Sequence, residues 1–276
     1  MDLGIFAIPI MLFLGLFGAS VVTETSDVVF EDFTVPAQWE HGYTAQVVTE
    51  RIADAYQTIN RDARTAKSLK AFGLSHDETF VAAVGERLDL GNMVNAARDQ
   101  LGMIAFRING DLVEKEGTWL IRTHISPAEG PTETYFVSGP SDNPEPLFME
   151  AAMAAMRVTS PYVVASYLYE IELDRGTTNF EPTYRALEQA FPRLPAEAHH
   201  WLYNLWGLAL LNEGKPEKAI EEFHNALHLE PGFPLSIHNW GKALTAQGRH
   251  EEAIATFKGV IANDPKKLRS ARAYAE

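Results

Sequence analysis

The chain has no cysteine in its 276 residues. That excludes disulfides, thiolate metal centres and cysteine nucleophiles, and it fits a periplasm or a cytoplasm alike. Positive charge is scarce: 23 Lys and Arg stand against 37 Asp and Glu, for a net charge of −14. The average field of such a chain repels a polyanion, so nucleic acid is not expected as a partner. Lys and Arg are missing altogether before Arg51. Also missing are the phosphate loop, G-x-G-x-x-G, G-x-S-x-G and H-E-x-x-H. With no recognisable nucleophile or acid–base pair, the chain is expected to be non-enzymatic and to need no cofactor or catalytic metal.

What the chain does have is apolar residues, 46% of the total, enough for a packed core. Leu3 to Val22 is an unbroken stretch without a charge. As a helix it rises about 30 Å, the thickness of a bilayer core. A cleavable signal peptide is the rival reading, since Gly18 and Ser20 form a small-x-small site. The length of the run and the lack of a preceding cation favour a retained single-pass anchor in contact with lipid through residues 3–22. Gly15, Gly18 and Ala19 fall at i, i+3 and i+4, a small-residue face that lets a second transmembrane helix approach. Cytoplasmic flanks usually carry Lys or Arg. Their absence between Val22 and Arg51 points to an inner-membrane protein with its globular part in the periplasm.

Residues 23–158 read as an α+β domain. VVFEDF at 28–33 is a short strand, and Tyr43 to Ile59 has helical spacing with Thr44 as cap. A second helix is expected over Leu90–Leu101, ended by Gly102. Three strands follow at 103–110, 117–126 and 134–139, separated by turns at Asn109-Gly110 and Pro127 to Pro131. A helix over Pro144–Arg157 closes the domain. The order implies a sandwich of one mixed sheet with helices on a face. It resembles, in element order and spacing, the amino-terminal α/β domain of TolB and related CsgG-like modules. That resemblance implies a non-catalytic envelope domain.

The remainder, 159–276, repeats itself at a spacing of 34. Trp206-Gly207 recurs as Trp240-Gly241, Gly214 as Gly248, Ala219-Ile220 as Ala253-Ile254, Phe223 as Phe257 and Pro231 as Pro265. These residues resemble tetratricopeptide repeats, which are helix–turn–helix units of that period. The resemblance implies an all-α solenoid with repeats at 200–231 and 234–265. A degenerate unit spans 162–195, in which Ala190 and Pro195 precede Ala226 and Pro231 by 36 residues, and 266–276 is expected to be a capping helix. It further implies a groove lined by the first helix of each pair, with Tyr203, Asn204, Ile237, His238 and Lys242 as candidate lining residues for a bound peptide or protein segment. Asn204 and His238 hold the same repeat position, where an Asn can grip a peptide amide.

His224 and His228 stand at i, i+4, a spacing that can bind metal, but no carboxylates complete a site. His76-Asp77-Glu78 fits a helix start capped by Ser75 as well as it fits chemistry. The expectation is therefore a membrane-anchored scaffold, or an accessory or assembly subunit of a membrane protein complex. The alternative is an envelope or signalling module that recognises a peptide or small ligand through the α/β domain.

Overall fold

The computed structural model describes residues 27–36, 42–65, 97–98 and 100–263. Among them no helix is long and apolar enough to cross a membrane. The expected anchor over 1–22 with Gly15, Gly18 and Ala19, the His76-Asp77-Glu78 triplet and the cap at 266–276 lie outside the described residues. The chain divides into two compact units. The first holds the described residues up to 57 and those from 97 to 155, and the second those from 58 to 65 and from 156 onward.

The first unit is built on strands β1 (Val28–Phe30), β2 (Phe106–Lys115), β3 (Thr118–Pro127) and β4 (Glu133–Pro140), in the order β1-β2-β3-β4. β1 runs parallel to β2, and the other pairs are antiparallel, so the sheet is mixed. β3 alternates strictly, burying Trp119, Ile121, Thr123 and Ile125, the period-2 pattern of a sheet with one covered face. Helix α1 (Ala45–Asp62) buries Val48, Ile52 and Tyr56, one side chain every four residues. The Val47 N–H donates to Thr44 Oγ1 at 3.3 Å, which is the expected cap. Thr49 Oγ1 accepts the Phe33 N–H at 2.9 Å and ties the helix to the chain beyond β1. Helix α2 (Glu145–Thr159) supplies Leu147, Phe148, Ala151, Ala152 and Ala155 to the same core. Tyr43, Trp119 and Phe148 meet there with ring centroids 5.0 to 6.3 Å apart. Each large apolar side chain buried in this way contributes about 1.5–3 kcal/mol.

One turn falls elsewhere than expected. Asn109-Gly110 lies inside β2, where Gly110 pairs with Thr123, and the hairpin closes instead at Glu116-Gly117. Both of those residues have positive φ, 54° and 72°, as a two-residue type I′ loop requires. Gly110 is small for a different reason. A Cβ there would overlap the carbonyl oxygen of Arg122 and come within 2.6 Å of the buried Phe33 ring. β2 also carries the parallel bridge to Thr34, whose N–H donates to the Gly110 carbonyl at 2.8 Å. Most of the helix expected over Leu90–Leu101 lies outside the described residues, but Gly102 after it has the expected terminating geometry, at φ 66° with the Met103 N–H on the Arg98 carbonyl.

The second unit stacks three helix pairs: α3 (Pro161–Asp174) with α4 (Glu181–Ala190), α5 (His199–Asn212) with α6 (Pro216–Leu229), and α7 (Pro234–Ala246) with α8 (His250–Asn263). Pro161, Pro216 and Pro234 sit at the first helical position, where a missing N–H costs nothing. Each first helix ends in the same way. Gly176, Gly214 and Gly248 adopt φ of 65° to 74°, and the following N–H reaches back to Glu172, Leu210 and Leu244. That is the Schellman arrangement, which favours glycine.

Packing within the pairs repeats too. A Cβ on Gly207 would stand 2.5 Å from the ring of Phe223, and one on Gly241 would overlap the ring of Phe257. The degenerate pair solves the same problem with other residues. Thr183 takes the place of Ala219 and Leu187 that of Phe223, both fully buried. The Thr183 N–H and hydroxyl donate to the buried Glu172 carboxylate at 3.2 and 2.5 Å, so the polar pair is satisfied internally. The end of α1 joins this unit through Arg64, 3.2 Å from Glu170.

Burial pushes the Tyr162 and Tyr169 hydroxyls up to about 12 from 10.0. Because the folded value lies above the unfolded one, their contribution to stability is complete below about pH 10 and is lost as pH rises through about 12. A phenolate titration at 295 nm is therefore expected to show a late-ionising fraction with concurrent unfolding of the helical unit. Tyr162→Phe and Tyr169→Phe should each remove part of it. Titration of every tyrosine near pH 10 with the fold intact would refute this assignment.

Candidate protein-binding groove

Within the second unit the first helices touch one another, α5 contacting both α3 and α7. They form the inner layer of the stack, as helices joined by short turns in successive pairs do. Trp201, Leu205, Leu208 and Asn212 lie at i, i+4, i+7 and i+11 on α5, a single stripe. One repeat later the same positions on α7 are Leu235, Asn239, Lys242 and Ala246. Leu205 and Asn239 are buried against neighbouring helices, Trp201, Leu208 and Leu235 are half-buried, and Asn212, Lys242 and Ala246 are exposed. The aromatic rings of Tyr162, Trp201 and Phe233 run across one end of this layer, with centroids 5.8 and 4.8 Å apart. Asn212 spans from α5 to α3 by donating to the Tyr169 hydroxyl at 2.7 Å.

The five residues expected to line a groove have different places. Lys242 is exposed on the stripe. His238 is half-buried one turn before it, with its ring 6.0 Å from that of Phe257. Burial and then the Lys242 cation lower its pKa below the usual histidine value, so it is neutral at pH 7. Tyr203 and Ile237 are half-buried, and Tyr203 packs its ring 5.0 Å from Phe191. Asn204 is not open to a groove at all, being 3% exposed. Its side chain points at the next first helix, where the amide oxygen accepts from Ser236 Oγ at 3.1 Å and from Asn239 Nδ2 at 3.0 Å. It fastens one pair to the next instead of holding a peptide amide.

Asn204→Ala is expected to cost about 2 kcal/mol, because it leaves two buried donors without their acceptor. Urea melts followed by circular dichroism check this, and a loss below about 0.5 kcal/mol would remove the tie from the account.

Two histidines have clear structural partners. His199 Nε2 lies 3.0 and 2.9 Å from the carbonyls of Phe191 and Leu194, closing the chain end after α4. His224 meets Trp240 edge-on at 4.5 Å. Among the described residues no three His, Asp or Glu gather as metal ligands would. At the turn before α6, burial raises the Glu213 pKa, but hydrogen bonds from Lys215 and the Phe180 N–H outweigh it and hold the carboxylate below its usual value.

Sequence reasoning missed the Trp201–Leu208 stripe and the Ser236 and Asn239 ties. The signal was present in the period: moving 34 residues from Leu208 gives Lys242, the same position of the next repeat.

Residues 210–276 match the family model described as tetratricopeptide repeat. No curated protein and no solved structure matches the chain. The helix pairs, their glycine turns and this match agree on a tetratricopeptide-type segment, an architecture whose usual partners are proteins or peptides.

Proposed function

We propose that the chain is a membrane-anchored, non-enzymatic scaffold, an accessory or assembly subunit of a membrane protein complex. The observation that carries this is the stacked inner layer of α3, α5 and α7 with its half-buried apolar side chains, together with the tetratricopeptide match over residues 210–276. The uncharged stretch Leu3–Val22 supports anchoring, and Gly15, Gly18 and Ala19 support close packing on another membrane helix. The resemblance of residues 27–158 to the TolB amino-terminal domain and the missing flanking cations support a periplasmic position for the globular part at the inner membrane.

Gentle detergent extraction followed by size measurement with light scattering tests the reading. A particle much larger than one 30.7 kDa chain with its detergent is expected. A detergent-bound monomer would overturn it.

A further inference from the structure

The two edges of the sheet differ. β1, at one edge, is three residues long, and so short a strand offers little to pair with. β4, at the other, runs eight residues in unbroken register with β3, and no strand lies beyond it among the described residues. It has no bulge, no Lys and no Pro before its last residue, the devices by which proteins blunt an edge. The bonding phase of β4 fixes which backbone groups are free. The Ser141 N–H donates to the Gly117 carbonyl at 3.0 Å. Counting back by two therefore turns the backbone groups of Gly139, Val137, Tyr135 and Glu133 towards β3, and those of Thr134, Phe136 and Ser138 away from the sheet. The same three side chains are exposed, Phe136 at 64%. Gly139, by contrast, faces the Leu147 side chain of α2 on the covered side.

We infer that β4 pairs antiparallel with β4 of a second copy of this chain, about a two-fold axis through Phe136, so that two four-stranded sheets join edge to edge. The segment is self-complementary in this register. Thr134 lies opposite the copy's Ser138, and Phe136 lies opposite its own counterpart. All three outward-facing residues are then bonded, with about six hydrogen bonds across the axis. A shift of two residues either way leaves one of the three without a mate inside β4, so the backbone itself selects the register. The side chains agree with it. The two Phe136 rings become a cross-strand aromatic pair on the open face, and Thr134 meets a serine hydroxyl. Glu133, the single charged residue of β4, falls opposite the copy's Gly139, so no like charges meet within the strand. Arg122 lies beside Phe136 on β3, and Asp111 compensates it at 2.8 and 3.0 Å. Every outward group of β4 has its mate in the same sequence, which favours a second copy over an unrelated strand.

The pairing uses no residue of the helical unit, so it stands or falls separately from the scaffold reading. Sedimentation equilibrium of the full chain in density-matched detergent measures it. A concentration-dependent dimer is expected. Phe136→Lys sets two cations about 5.5 Å apart at the axis and should raise the dissociation constant about tenfold or more. Ser138→Pro removes an outward N–H without touching the bonds to β3 and should weaken the dimer in the same direction. Both positions are exposed, so both variants are expected to keep the wild-type dichroism and melting profile. Crosslinking reads the register, because the chain has no cysteine of its own. In a Thr134→Cys/Ser138→Cys double variant each thiol lies about 5.5 Å, Cα to Cα, from its mate on the copy, within disulfide range. Mild oxidation with copper phenanthroline should therefore yield a covalent dimer. Either single variant holds its thiol about 14 Å along the strand from the copy's and should stay uncrosslinked. A chain that remains single at every concentration overturns the proposal and leaves the β4 edge to a strand of a different protein. Self-association unchanged by both Phe136→Lys and Ser138→Pro, or single-cysteine variants that crosslink as readily as the double one, overturns it as well.

Discussion

Gly110→Ala is expected to destabilise the sheet unit by about 4 kcal/mol or more, an exceptional loss for the addition of one methyl group. Gly110 lies within β2, with β3 on one side and the Thr34 bridge on the other. The new Cβ would collide with the carbonyl oxygen of Arg122, which is backbone and cannot rotate away, and would come 2.6 Å from the Phe33 ring, itself fully buried. Relief requires β2 and β3 to separate locally, breaking ladder hydrogen bonds and lifting Phe33 from the core. Urea unfolding followed by Trp119 fluorescence and far-ultraviolet dichroism measures the loss. A neighbouring control, Gly117→Ala, meets no atom within 4 Å and strains only a φ of 72°. Its cost should stay near 1 kcal/mol. Equal midpoints for the two variants would contradict the packing described for β2.

Gly207→Val is the second large effect, expected to cost about 3–5 kcal/mol in the repeat unit. A Cβ at this position falls 2.5 to 2.9 Å from three ring atoms of Phe223. The ring is fully buried in a cluster with Leu210, Ala219 and Ala243, so it has nowhere to retreat. The equivalent Gly241 makes an informative contrast. Its would-be Cβ also overlaps a ring, that of Phe257, but that ring is only half-buried and can swing outward. Gly241→Ala also gains about 1 kcal/mol of helix propensity, so its net effect is expected to be small. Denaturation monitored by the tryptophans of this unit distinguishes the two. Similar large losses at both sites would mean that Phe257 is as confined as Phe223.

The two glycines show how far the sequence could be read. Gly207 and Gly241 were legible because a period of 34 placed a small residue and a Phe at fixed offsets, and a repeat fixes contacts as well as elements. Gly110 was misread because Asn-Gly between apolar runs is the usual signature of a tight hairpin. The deciding fact is long-range: the register of β2 on β3 and the approach of Phe33 from beyond β1, neither of which local spacing reports. Thr44 and Gly102 were legible as local terminators whose geometry depends only on nearby backbone. Asn204 was misplaced because a polar residue on a first helix reads as exposed until the next helix supplies Ser236 and Asn239 to satisfy it. In the degenerate pair, Thr183 and Leu187 hide the repeat. Their side chains fill the same volumes by different chemistry, with Glu172 compensating for the hydroxyl.

The central claim is that the stacked helices of the second unit hold a partner. Its most direct measurement is quantitative mass spectrometry of proteins co-purified in gentle detergent with the full-length tagged chain and with its Gly207→Val variant, at matched recovery. The account predicts companions in stoichiometric amount with the wild type and their loss from the variant, whose helix stack is disrupted. Recovery of the wild-type chain alone, or the same companions at the same amount with both, would contradict it.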